Sequence, residues 1–97
     1  MRMMLRVQIP VETGNEQIKN GKLPEVLKQT MEKLKPEAAY FFPDGGERSC
    51  IMIFDMKESS QIPSIAEPFF AELDASFELF PVMNAEDLMK GLSQMGK

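Results

Sequence analysis

Histidine is absent from this 97-residue chain and cysteine occurs once. Without histidine there is no Ser-His-Asp or Cys-His arrangement for nucleophilic catalysis, and the most usual transition-metal ligand is missing. The single cysteine, Cys50, cannot close an internal disulfide, and with carboxylates alone it makes a poor zinc set, so neither metal nor cofactor is expected. Its place inside an apolar strand-like run marks it as a buried, inert thiol rather than a nucleophile. Also missing is any apolar run near the ~20 residues that span a bilayer. The opening Met1-Arg2-Met3-Met4-Leu5-Arg6 interleaves charge where a signal peptide carries an unbroken apolar stretch. A soluble, cytoplasmic protein without a membrane partner is the expectation. Basic charge is in deficit, with 11 Lys and Arg against 15 Asp and Glu and a net charge of −4, which repels a phosphate backbone. Nucleic acid is therefore not an expected partner.

What is present is patterning. A chain of this length makes one domain, spanning residues 1–97, and buries roughly two-thirds of the surface of its unfolded form. Met3, Leu5, Val7 and Ile9 alternate with Arg2, Met4, Arg6 and Gln8, the period of a strand with one face on a core. Pro10 ends it. From Glu12 to Leu34 the apolar positions Ile18, Leu23, Leu27, Met31 and Leu34 recur at helical spacing. Gly21 and Pro24 divide that stretch into a first turn or two and a longer second helix, which stops before Pro36. The segments Ala38–Phe42 and Cys50–Met56 read as strands around the turn-former Pro43-Asp44-Gly45-Gly46. Ser59, Ser60 and Gln61 offer caps ahead of the ladder Ile62, Ile65, Ala66, Phe69, Phe70 and Leu73, with Pro68 predicting a kink or a late start. Ser76 to Pro81 alternates as a last strand, and Asn84 caps a short amphipathic helix over Ala85–Met95.

The order β-α-β-β-α-β predicts an α+β fold of ferredoxin-like type: a four-stranded antiparallel sheet, two helices on one face, and a short C-terminal helix. In the two middle strands both alternating sets are apolar, whereas a half-exposed antiparallel sheet shows polar residues on one side. Something covers the second face. A second copy of the chain is the expected cover, giving a homodimer with two-fold symmetry, and the terminal helix from Ala85 is the rival.

These features carry a resemblance. The element order, the sheet apolar on both faces, and the segments Glu37-Ala38-Ala39-Tyr40-Phe41, Asp44-Gly45-Gly46, Ile62-Pro63-Ser64-Ile65-Ala66-Glu67-Pro68-Phe69-Phe70 and Phe80-Pro81-Val82-Met83 resemble a group of small uncharacterised bacterial proteins. That group is similar to the dimeric α+β barrel superfamily, whose branches include muconolactone isomerases and cofactor-independent monooxygenases of antibiotic biosynthesis. The resemblance covers Met3 to Leu88. It implies a small-molecule pocket between sheet and helices, and it brings no activity with it.

The polar residues aimed at the second face are the candidate ligand-binding set: Arg6 and Glu78, on strands that the topology makes neighbours, and Tyr40, the only tyrosine. Their bland reading is a cross-strand or inter-subunit ion pair and a core aromatic. Their functional reading is an anion or carboxylate site with Arg6 as clamp and Tyr40 as hydrogen-bonding wall. Arg48 and Asp55, at opposite ends of the third strand, read as solvated or edge-protecting charges. Two other users of this topology fail on residues. Glu47-Arg48-Ser49-Cys50-Ile51-Met52-Ile53-Phe54 lacks the stacking aromatics of an RNA-recognition strand. The loop Pro10-Val11-Glu12-Thr13-Gly14-Asn15 lacks the arginine of an acylphosphatase. Two readings stand: a non-catalytic dimeric module for small-molecule binding or protein association, with Phe69, Phe70, Phe77 and Phe80 in its core, and a cofactor-independent enzyme of monooxygenase or isomerase type. The enzyme needs a cavity of ~300 Å³ or more that reaches Tyr40 or Arg6.

Overall fold

The computed structural model describes residues 1–96. Its elements are β1 (Arg2–Ile9), α1 (Val11–Lys19), α2 (Lys22–Leu34), β2 (Ala38–Asp44), β3 (Glu47–Asp55), a 3-10 turn (Ser59–Gln61), α3 (Ile62–Leu73), β4 (Ser76–Pro81) and α4 (Ala85–Ser93). The strands form one sheet in the order β2-β3-β1-β4, every neighbouring pair antiparallel. This is the arrangement that the sequence predicts.

Alternation along β1 does what its period requires. Met3, Leu5, Val7 and Ile9 are buried against the helices, beside Cys50, Met52 and Phe54 of β3. Ile65, Phe69 and Leu73, spaced at four residues on α3, and Leu23 and Val26 of α2 close the core from the other side. Each such side chain contributes roughly 1.5–3 kcal/mol by leaving water. The phenylalanines predicted as one core ladder separate: Phe69 is fully buried and stacks at 5.7 Å between ring centroids on the half-buried Phe77, whereas Phe70 and Phe80 are exposed. The methionines separate too, Met3, Met52 and Met56 being core and Met83, Met89 and Met95 exposed.

Local differences from the expectation have identifiable causes. Helix α1 is nine residues long, because Pro10 supplies a preset extended entry and Val11 begins the helix at once. The hairpin strands run to Asp44 and from Glu47, leaving a turn of Gly45 and Gly46 alone, with φ of 60° and 82°. Two successive positive φ values define the hairpin turn that matches strand twist. Pro43 is accommodated because β2 is an edge strand and needs no second hydrogen-bonded neighbour. Ahead of α3 the serines do not cap. Instead the Gln61 side-chain oxygen accepts from the Lys57 and Glu58 amides.

Pro68 neither delays nor divides α3, which runs from Ile62 to Leu73. Its missing N–H leaves the carbonyl of Ser64 without an intrahelical donor, and Lys33 Nζ of α2 donates to that oxygen at 3.0 Å. A lysine thus replaces the lost helical bond from outside. Lys33→Met should cost about 1 kcal/mol in the native chain. In a Pro68→Ala background, where the alanine amide takes over Ser64, that penalty should vanish. A double-mutant cycle in urea tests this, and additive effects would refute the compensation.

Helix α4 has the cap that the sequence predicts: Asn84 Oδ1 accepts from the Asp87 amide at 2.8 Å, and Asp87 Oδ2 accepts from the Asn84 amide at 3.2 Å. None of its residues is buried, and Leu88, Met89 and Leu92 stand exposed. It does not cover the second face of the sheet. No helix of the described residues is long and apolar enough to cross a membrane.

Candidate functional site

Register places the three sequence-predicted residues in one row. Tyr40 pairs with Ile51, Ile51 with Arg6 and Arg6 with Glu78, so the row crosses all four strands on the face away from the helices. Strands about 4.8 Å apart put Tyr40 and Arg6, two strands apart, at roughly 10 Å along it. Arg6 Nε lies 3.9 Å from Glu78 Oε1, the expected cross-strand pair. Its closer partner is Asp44, at the hairpin end of β2, to which Nη2 donates. Sequence pattern did not reveal that contact, because the reach of an arginine across an intervening strand is not fixed by register. Tyr40 is 62% exposed, not a core aromatic. The next row is apolar throughout: Ala38, Ile53, Met4 and Phe80.

At one end of this face, Arg2 joins three elements. Its Nε donates to Glu37 and its Nη1 to Asp87, each at 2.7 Å, which ties the start of α4 to the strands. Hydrogen bonding and charge from Glu37, then the charge of Asp87, raise the Arg2 pKa further. Beside it, Asp55 accepts from Lys57 Nζ at 2.6 Å and from the N-terminal ammonium at 2.7 Å. Lys57 first and then the N-terminus lower the Asp55 pKa from 3.8 to about 2. A carboxyl held below its unfolded pKa contributes stability above that value and loses it as protons bind the folded form. The Asp55 contribution should therefore be complete above about pH 4 and disappear toward pH 2. Comparing acid unfolding of the native chain and Asp55→Asn tests this. Identical profiles over that window would refute it.

A concavity lies on the opposite, helix-bearing face. It is a cleft of about 600 Å³ between the hairpin and helices α1 and α2. Phe41, 52% exposed on the helix-facing side of the edge strand, is one wall. Leu23 and Leu27 of α2 form the other, and Ile9 and Cys50 the floor. Cys50 is 3% exposed, and burial pushes its thiol up to about 11, so it stays protonated and inert as expected. At the rim Arg48 extends over Gly14 of α1, and its Nη2 donates to Asn15 Oδ1 at 3.1 Å. Arg48 belongs to the strand set that includes Cys50, Met52 and Phe54, all core-facing. It sits on the central strand β3 and protects no edge.

Arg6, Tyr40 and Glu78 do not line this cleft. The signal that could have singled out Arg48 was its parity: a cation one step of two residues before Cys50 points the same way as the core. Among the described residues no group of three or more His, Cys, Asp or Glu side chains is placed to hold a metal ion.

The sheet order, helices on one face and open apolar second face define a ferredoxin-like α+β domain. Solved structures agree in fold. A 5-chloro-2-hydroxyhydroquinone dehydrochlorinase from Burkholderia phenoliruptrix, solved with 2,5-dihydroxybenzoquinone, is 13% identical over 89% of this chain and 97% of its own, with a TM-score of 0.66. A formyltetrahydrofolate deformylase from Pseudomonas putida is 18% identical over 84% of this chain at a TM-score of 0.55, and the match spans only 29% of the deformylase. A de novo designed protein, Ferredog-Diesel, matches at 12% identity over 84% of this chain and 85% of its own, TM-score 0.51. No curated protein matches the sequence. The chain belongs to the DUF3303 family, a domain of unknown function whose model matches residues 1–96.

Proposed function

We propose that the protein is a homodimeric small-molecule-binding module, in which two copies bury their open sheet faces against each other and each keeps the cleft under its hairpin for a ligand. One observation carries the dimer. The chain exposes 6491 Å², against roughly 5,600 Å² for a folded monomer of its mass. That surplus of about 900 Å² is close to the ~800 Å² each partner contributes to a stable interface. Part of the surplus lies on α4, where no residue is buried, and the half-exposed row Ala38, Ile53, Met4 with the exposed Phe80 supplies an apolar patch on the sheet. Shape agrees, with a radius of gyration of 15.5 Å against ~12.5 Å for a compact domain of this length. In the dimer the row Tyr40, Arg6 and Glu78 becomes an interfacial polar stripe, with Arg6 already matched by Asp44 and Glu78.

The cleft supports the binding half of the reading. Its volume falls within the ~300–1,000 Å³ of small-molecule sites, and its lining is mostly apolar with a few polar groups. The enzymatic alternative asked for a cavity reaching Tyr40 or Arg6, and this cleft opens on the other face. Native mass spectrometry across a concentration series tests the proposal. A dimer that retains or takes up small molecules is the expected result, and a monomer at all concentrations overturns it.

A further inference from the structure

We infer that the cleft selects a small, largely apolar monocarboxylate, such as an arylacetic or branched-chain acid, with Arg48 and Asn15 holding the carboxylate and Leu23, Leu27, Phe41 and Cys50 the apolar body. This rests on the reading of the cleft as a binding site and adds the ligand's chemistry to it.

The argument starts from the guanidinium. It carries five N–H donors in a planar fork that matches a carboxylate. Among the described residues Arg48 makes one side-chain hydrogen bond, to Asn15 Oδ1 at 3.1 Å, and meets no carboxylate within salt-bridge distance. Arg2 and Arg6, by contrast, each hold two carboxylates. Arg48 is therefore an uncommitted cation, half-buried, at the mouth of an apolar cleft. Its neighbour in the chain, Glu47, also lines the cleft, but it alternates in parity with Arg48 along β3, pairs in register with Asp44 and makes no salt bridge to Arg48.

Position is fixed by a built feature of α1. A Cβ at Gly14 would stand 2.6 Å from Arg48 Nη1, so glycine leaves the space in which the guanidinium lies. Gly14 is buried inside a helix, where glycine costs roughly 0.5–1 kcal/mol relative to alanine. A glycine at the point where a Cβ would meet the end of Arg48 lets the guanidinium rest against α1 at the rim of the cleft. A single fork and a mostly apolar wall suit one negative charge on an apolar frame. A phosphate dianion would call for several donors, and beside Arg48 the cleft offers the Asn15 amide and the Ser49 hydroxyl, which already donates to the Glu47 carbonyl.

The test is an NMR titration of the isotope-labelled full chain with phenylacetate and 4-methylpentanoate, each beside its primary amide. Both acids should shift the amide signals of Leu23, Leu27 and Cys50, and bind about tenfold or more tighter than the neutral amides, as a charge-assisted pair requires. Arg48→Met should bring the acids down to the amides' affinity without altering the amides. Gly14→Ala should weaken the acids too, while leaving the chain folded and of equal or higher thermal stability. Acid and amide binding equally in the cleft would overturn the anion assignment and leave the binding module standing. No shift of cleft signals by any of the four probes would overturn both. Should Arg48→Met fail to fold, the comparison of acid with amide on the native chain decides.

Discussion

Ile53→Glu should turn the proposed dimer into a monomer with its fold intact, raising the dissociation constant by about a thousandfold or more. Ile53 sits on the central strand β3, between Ala38 of β2 and Met4 of β1, and Phe80 completes the row. No cation stands in that row to receive a carboxylate. In a separate chain the position is half-exposed, so glutamate stays hydrated and costs at most the ~1 kcal/mol span of strand preference. In the proposed dimer the two-fold axis would double the damage, since both copies would bury an unpaired charge at several kcal/mol each. Sedimentation over a range of concentrations measures the shift, and circular dichroism checks the fold. Ile18→Glu on α1 is the control, because Ile18 is 44% exposed and lies off the sheet. Equal self-association in native and Ile53→Glu chains would remove the sheet face from the interface.

Phe69→Ala should lose about 3–5 kcal/mol, the usual cost of emptying a buried aromatic site. Phe69 is 0% exposed and touches the ring of Phe77. Small domains hold roughly 5–15 kcal/mol in all, so this single truncation removes much of the margin. Phe70, its sequence neighbour, is 44% exposed and meets Phe77 edge-on at 6.0 Å between centroids, so Phe70→Ala should cost about 1–2 kcal/mol. Urea midpoints at one fixed protein concentration measure both, the slope staying constant if only stability has changed. Similar losses for the two variants would mean that α3 packs on the sheet with a different face.

That contrast shows where sequence pattern reaches its limit. Phe69 and Phe70 both belong to the apolar ladder of α3, and the ladder gives the side of the helix but not how far round it the sheet extends. Period-two alternation in β1, by comparison, fixed faces completely, and with the topology it placed Arg6 opposite Glu78. The doubly apolar middle strands announced the open face, because an antiparallel sheet has no other reason to be greasy on both sides. Two features depended on contacts between distant segments. Lys33 reaching Ser64 rescues a proline that helix rules alone would reject. Arg48 lying over Gly14 requires α1 and β3 to be docked first, so strand position alone made it look like a surface charge. The cleft itself arises from a mismatch in width: the sheet carries β2 out beyond the helices, and no pattern in β2 encodes how far the helices extend.

Helix α4 has the least support of any element. Nine residues without one buried side chain fall short of the ~12–15 at which an isolated helix is even marginal in water. Its first turn is held by the Asn84–Asp87 box and the Arg2 clamp, and the remaining turns have only their own hydrogen bonds. The order of this segment is therefore tied to mass action. At high protein concentration the partner surface of the proposed dimer would shelter Leu88 and Leu92, and on dilution the same residues would return to water and the helix would unwind from its far end. In the proposed dimer the end of the chain would act as a gauge of how much protein surrounds it, set by the equilibrium that would join the two sheets.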